Sequence, residues 1–175
     1  MLEHGDAAPD FRLKGTDNAT HSLSEQKGTK ATAVIFSCNH CPYVRAYEDR
    51  IIQLAKAFQS KGVKFVLINA NDPVKHPNDS FEGMVTRGKE KGYPFAYLHD
   101  ETQKVARAYG AERTPEVFLF DGTLKLRYHG TIDDNYEKPE AVKMQHLKLA
   151  LEAVIGGKEV PQKETAPVGC TIKWK

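Results

Sequence analysis

The sequence predicts an α/β domain: a central mixed β-sheet with helices on both faces. Three observations point there. Short runs of β-forming residues with few charges alternate with segments whose apolar residues recur every three or four positions. In the first half this strand–helix order repeats, which implies parallel crossovers. Late in the chain, Asp121-Gly122 separates two strand-like runs and implies an antiparallel hairpin at one side.

Each element has a local reason. Ala31 to Phe36 carries no charge and reads as a strand buried on both faces. Val44, Tyr47, Ile51, Leu54 and Phe58 then form one apolar helical stripe. Pro42 suits the first turn of that helix, where a missing amide donor costs little, and Gly62 suits its stop. Val63 to Ile68 is a second buried strand. A polar loop follows, and the spacing of Asp79 and Glu82 predicts a capping box opening a helix that Gly83 and Gly88 weaken. Phe95 to Leu98 reads as a short strand and Thr102 to Tyr109 as a short helix closed by Gly110. Glu116 to Phe120 and Leu124 to His129 are the hairpin strands. Pro139 is expected to start a last helix with Ala141, Met144, Leu147, Leu151 and Val154 on its inner face, ended by Gly156-Gly157. No period is evident from Pro161 to Lys175.

Composition sets the class. A chain of 175 residues with 40% hydrophobic and 27% charged residues is ordinary globular material, long enough to bury its own core. One domain over 1–158 is expected, followed by a tail over 159–175 that either extends away or packs back on it. The net charge of +2 gives no reason to expect nucleic acid or a membrane as partner. The N-terminus has neither the basic start nor the apolar stretch of a signal peptide, and no apolar run is long enough to span a bilayer, so the chain reads as cytoplasmic.

Three cysteines argue against a disulfide framework. Two of them form Cys38-Asn39-His40-Cys41, between the first core strand and the long helix. Unpaired amides and the helix dipole favour negative charge at that place. A thiol there ionises more easily, and the thiolate is the nucleophile. Cys38, at the end of the loop, is expected to attack; Cys41, about one turn inside the helix, is expected to resolve. His40 would add positive charge or a hydrogen bond. One C-x-x-C is also half a zinc site, or a pair of core cysteines, so a metal-binding module stays open. No second C-x-x-C or H-x-x-x-H supplies the remaining ligands, and neither a metal nor an organic cofactor is expected.

Taken in order, three segments resemble the thioredoxin-fold superfamily, and within it the peroxiredoxin-like group that carries a C-x-x-C. They are Gly5-Asp6-Ala7-Ala8-Pro9-Asp10-Phe11; Val34 to Pro42 around the two cysteines; and Tyr109-Gly110 with Arg113 to Asp121. The closing Gly169-Cys170-Thr171-Ile172-Lys173-Trp174 is similar to endings in that group. The resemblance implies a thioredoxin-like three-layer sandwich with a redox pair of Cys38 and Cys41. It also implies a cis bond between Thr114 and Pro115 beside that pair. Thr114, Pro115, His40 and Asn39 would contact the substrate, with the backbone of Thr114 free to pair with an extended peptide. Cys170 is a candidate third redox residue, or a buried apolar cysteine between Val168 and Ile172.

The resemblance implies thiol-disulfide oxidoreduction on protein disulfides, dithiols or small thiols. The alternative is a thiol-dependent peroxidase, with Cys41 peroxidatic and Cys38 resolving. The activating Thr and Arg of peroxiredoxins fall on Cys38 and Pro115 here, so the donors that stabilise a breaking O–O bond are missing from those positions.

Overall fold

The structure is a computed structural model and describes residues 2–175. The described residues form nine strands and four helices, and from Ala31 onward the expected elements appear in the expected order, with two short strands added. The strands are β1 (Arg12–Gly15), β2 (Thr20–Ser22), β3 (Ala31–Ser37), β4 (Val63–Asn69), β5 (Ala96–His99), β6 (Arg113–Thr114), β7 (Glu116–Asp121), β8 (Leu126–Gly130) and β9 (Cys170–Thr171). The helices are α1 (Pro42–Gln59), α2 (Phe81–Lys91), α3 (Lys104–Tyr109) and α4 (His146–Ile155).

Seven strands form one mixed sheet in the order β2-β1-β5-β4-β3-β7-β8. β3, β4 and β5 run parallel, as crossovers through α1 and α2 require. β7 joins β3 antiparallel, with Phe36 opposite Glu116, and β8 closes the hairpin. β6 and β9 form a separate antiparallel pair.

Alternate residues of each central strand feed two cores. Ala31, Ala33 and Ile35 face Tyr47, Ile51 and Phe58 of α1, Met84 of α2 and Leu147 and Leu151 of α4. Val34 and Phe36 face the other way, onto Ala106 and Tyr109 of α3, Phe11 near the N-terminus and Ile172 near the C-terminus. All seven residues of β3 are buried, which explains why its sequence shows no alternation. The architecture is a thioredoxin-like mixed α/β sandwich.

Some local expectations are corrected, and elements that showed no sequence signal appear. The N-cap of α2 is Ser80, whose hydroxyl accepts from the Gly83 amide at 3.0 Å; Asp79 lies in the preceding 3-10 turn and turns inward. Gly92, in the left-handed region at φ 61°, ends α2 and offsets the weakness of its internal glycines. Pro139 opens only a 3-10 turn, because the chain turns away before α4 starts at His146. The hairpin of β1 and β2 was not legible, since its strands are short and polar and are held by pairing with the edge of β5. The tail, which showed no period, carries β9.

That tail packs closely on the domain. The Asp72 amide donates to Lys173 O at 2.8 Å, the Lys173 amide to Asn71 Oδ1 at 2.9 Å, and the Ile172 amide to Glu112 O at 2.9 Å. Trp174 stacks under the Arg107 guanidinium at 4.4 Å. Among the described residues no helix is long and apolar enough to cross a membrane.

Candidate active site

The C-terminal ends of β3 and β4 open onto a small cavity of about 250 Å³. Cys38, Cys41, Cys170, His40, Asp79 and Lys173 are among the residues that line it. All three cysteines are free thiols. Cys38 and Cys41 are only 2% and 4% exposed, and Cys170 packs against them from the tail.

The helix begins at Pro42, the proline that the sequence placed in its first turn. Cys41 is therefore the N-cap of α1 (φ −97°, ψ 131°), not a residue one turn inside it. Proline at the first helical position explains the placement: its fixed φ starts a helix and its missing N–H is one that a first turn leaves unpaired. Cys41 thus sits where the helix presents its free amides. Its pKa is lowered from the ordinary 9.0 to about 5. The hydrogen bond from the Cys38 thiol is the main cause; burial opposes it, and the Cys170 thiol and the Val44 and Cys170 amides add to it.

Cys38 behaves in the opposite way. Its hydrogen bond to Cys41, then burial and the nearby Asp79 carboxylate, push its pKa well up. Two thiols in contact cannot both ionise easily, so one charge is shared between them and the helix mouth holds it on Cys41.

Thr114 lies between the pair and the tail. The Thr114–Pro115 bond is cis, as the resemblance implied. Cys38 Sγ lies 3.7 Å from Thr114 Oγ1, and the Cys41 thiol points at Thr114 O, also at 3.7 Å. The expectation that the Thr114 backbone is free for a substrate strand is not met. It pairs with Cys170 in an antiparallel ladder, next to Arg113 opposite Thr171. The Arg113 guanidinium donates to Gly169 O at 3.2 Å. Glu116 Oε1 accepts from the Glu112 and Arg113 amides, both at 2.9 Å, and Glu116 Oε2 meets buried His129 Nε2 at 2.6 Å. This pair holds the turn that leads into Pro115.

His40 is exposed at the cavity rim. Asn39 does not share that position. It is buried and faces inward, its amide group donating to Asn78 O at 2.9 Å and its Oδ1 accepting from Tyr97 Oη at 2.6 Å. Its role is to fix the loop, because no polar atom is left over for a substrate.

Sequence reasoning missed Asp79. This carboxylate is 5% exposed and accepts three hydrogen bonds: from the Asn39 amide at 2.7 Å, Asn71 Nδ2 at 3.0 Å and Asn69 Nδ2 at 3.3 Å. It ties the cysteine loop to the end of β4. Asn71 in turn holds Lys173, so loop and tail share one network. The signal was present but ambiguous, since an acidic residue before a helix reads first as a cap.

Arg45 braces the same loop, donating to Asn39 O at 3.2 Å. Asp133 is buried in an ion pair with Arg50 at 2.7 Å. Among the described residues no group of three or more His, Cys, Asp and Glu side chains is arranged to hold a metal ion.

A thioredoxin-like sheet with a paired-thiol loop at a helix mouth and a cis-proline turn beside it defines a thioredoxin-like redox protein. The chain belongs to the AhpC/TSA family, whose model matches residues 4–129. It is 26% identical over 143 residues to thiol-disulfide oxidoreductase ResA of Geobacillus thermodenitrificans, covering 79% of this chain and 78% of that one. It is 27% identical over 109 residues to chloroplastic peroxiredoxin Q of Populus jackii, covering 62% of this chain and 47% of that one. The chain thus spans about half the length of that second relative. The crystal structure of an uncharacterized conserved protein from Geobacillus kaustophilus superposes with a TM-score of 0.95 at 42% identity, over 100% of this chain and 94% of that one.

Proposed function

We propose that the protein is a thiol-disulfide oxidoreductase in which Cys41 is the nucleophile and Cys38 its C-x-x-C partner. The observation that carries this reading is the position of Cys41: it caps α1, so the free amides there and the Cys38 thiol together hold a thiolate. The sequence alone favoured Cys38 as the attacking thiol. The hydrogen bond to Cys41, with burial and the nearby Asp79 carboxylate, keeps that thiol protonated, which suits a donor and second thiol better than a first attacker.

The cycle needs only the chain's own sulfurs. The Cys41 thiolate attacks one sulfur of a substrate disulfide, and a mixed disulfide forms as a substrate thiolate leaves. The Cys38 thiol then attacks Cys41, giving Cys38–Cys41 and a second substrate thiol. Two electrons pass from the pair to the substrate, and the reverse sequence oxidises a dithiol. No step calls on a metal or organic cofactor. A cytoplasmic setting, where thiols are kept reduced, matches the low cysteine count.

The helix-mouth Cys41-Pro42 also favours a second reading, peroxidase chemistry through a Cys41 sulfenate, in line with the peroxiredoxin Q relative. Steady-state turnover separates the two. The expected result is reduction of hydroxyethyl disulfide that Cys41→Ser abolishes, and a 2-mercaptoethanol adduct trapped on Cys41 in a Cys38→Ser/Cys170→Ser variant. Turnover that survives in Cys41→Ser refutes the proposed nucleophile. Faster turnover of hydrogen peroxide than of the disulfide favours the second reading.

A further inference from the structure

Cys170 lies in a constructed position rather than on a loose tail. Two backbone–backbone hydrogen bonds, the Lys173 amide bond into the Asn71–Asp79 network and the Trp174–Arg107 stack dock the segment around it. Its strand runs antiparallel to Arg113-Thr114, on the backbone edge that an extended peptide substrate would use. Its thiol packs against the Cys38–Cys41 pair, and the Cys41 thiol points at the carbonyl of Thr114, the residue that Cys170 faces across the ladder. A cysteine-bearing strand beside a nucleophilic thiol has the geometry of a bound substrate.

We propose that the segment Gly169-Cys170-Thr171 is a tethered pseudo-substrate, with Cys170 as a further catalytic residue that resolves the Cys41 mixed disulfide. This rests on the reading of Cys41 as nucleophile. After Cys41 has taken one half of a small disulfide RSSR and released one RS⁻, the Cys170 thiol gives up its proton and attacks the Cys41 sulfur. The Cys41–Cys170 bond forms, the Cys41–SR bond breaks, and the second RS⁻ leaves and is protonated. One disulfide is reduced and two protein thiols are oxidised. Cys38 then attacks Cys41 and frees Cys170, which moves the disulfide to the C-x-x-C without further electron transfer.

The same docking sets the substrate class. With the Thr114 edge filled, an extended polypeptide must first displace the tail, whereas a low-molecular-weight disulfide needs only the cavity of about 250 Å³. The molecule is therefore built for small disulfides and thiols.

Gly169 offers a perturbation that touches no sulfur. A Cβ there would lie 2.0 Å from Thr114 O, closer than any real contact, so Gly169→Ala must lift the strand. The test treats Cys38→Ser protein with hydroxyethyl disulfide, counts released 2-mercaptoethanol and maps the bonds by mass spectrometry. The expected result is two equivalents released and a Cys41–Cys170 disulfide. Adding Gly169→Ala should leave a lasting adduct on Cys41 with one equivalent released. In the otherwise unsubstituted chain, Gly169→Ala should raise insulin reduction by about tenfold or more, since a tethered competitor acts at roughly millimolar effective concentration. A lasting Cys41 adduct in Cys38→Ser itself, with Cys170 unmodified, overturns the proposal and leaves Cys41 as nucleophile. An undiminished Cys41–Cys170 bond in the Gly169→Ala variant, or unchanged insulin reduction, also overturns it. No adduct on Cys41 in any variant sinks the nucleophile assignment as well. Cys38→Ala replaces Cys38→Ser if the serine variant does not fold, with the same outcomes.

Discussion

Lowering the pH separates a thiolate held by the helix mouth from an ordinary buried thiol. With its pKa near 5, Cys41 is about three-quarters ionised at pH 5.5 and almost fully ionised at pH 8.5. Its alkylation at the lower pH should therefore keep about three-quarters of the rate at the higher one. A free cysteine of pKa about 8.5 falls roughly 500-fold over the same interval. The ratio is taken within one site, so slow entry of the reagent to a buried sulfur cancels. Reduced protein is pulsed with iodoacetamide from pH 4 to 9, quenched in acid and digested, and each cysteine is scored by mass. The expected profile for Cys41 has its midpoint near pH 5, with Cys38 unmodified until much higher pH. A Cys41 midpoint above pH 7.5, or first modification at Cys38, refutes the argument that the Cys38 hydrogen bond and the helix mouth together hold the charge on Cys41. The same low pKa makes the Cys41 sulfur a fast leaving group, which outweighs the lower nucleophilicity of a weakly basic thiolate when the pair is reduced again.

Two further perturbations probe the supports of the site. Asp79→Ala leaves the Asn39 amide and the side-chain amides of Asn69 and Asn71 without their shared acceptor, a cost of about 3–5 kcal/mol in urea unfolding. In Asp79→Asn the charge that raises Cys38 is gone, so the alkylation midpoint of Cys38 should fall. Burial works against charging His129, but its bonds to Glu116 and Glu164 outweigh that and raise its pKa above 6.5. Its stabilising contribution is then complete below about pH 6.5 and is lost as pH rises through the folded-state value. Thermal melts should show that decline in the native chain and a flatter profile in His129→Gln; equal profiles would remove the pair from the account of the turn before Pro115.

How much of this was readable from the residues follows from what each signal depends on. β3, β4 and α1 declare themselves because burial on a fixed period dictates their side chains, and the C-x-x-C between them locates the site. The β1–β2 hairpin and β9 do not, because their stability comes from partners distant in sequence: β5 for the first, Arg113-Thr114 for the second. Placing Cys41 about a turn inside α1 instead of at its N-cap is enough to exchange the roles proposed for Cys38 and Cys41, since the field of a helix end fades within a turn. Asn39 and Asp79 were misplaced for a related reason. Both are polar residues in loops, and only the three-dimensional arrangement shows that they satisfy each other in the interior rather than facing solvent.

The leaving group decides which chemistry this helix mouth serves. Attack on a disulfide expels a thiolate, which water and a nearby thiol stabilise without further help. Attack on a peroxide expels an alkoxide or hydroxide, a far stronger base, so donors aimed at the departing oxygen lower the barrier. The guanidinium groups of Arg45 and Arg113 are already committed to Asn39 O and Gly169 O, one bracing the loop and one holding the tail. What faces Cys41 instead is sulfur: Cys38 on its own loop and Cys170 from the tail. Such a surface stabilises shared protons and exchanging disulfides rather than a hard oxyanion. Converting it toward peroxide cleavage would require a guanidinium directed at Cys41, and the Thr114-Pro115 turn with its docked strand fills the side from which one would approach.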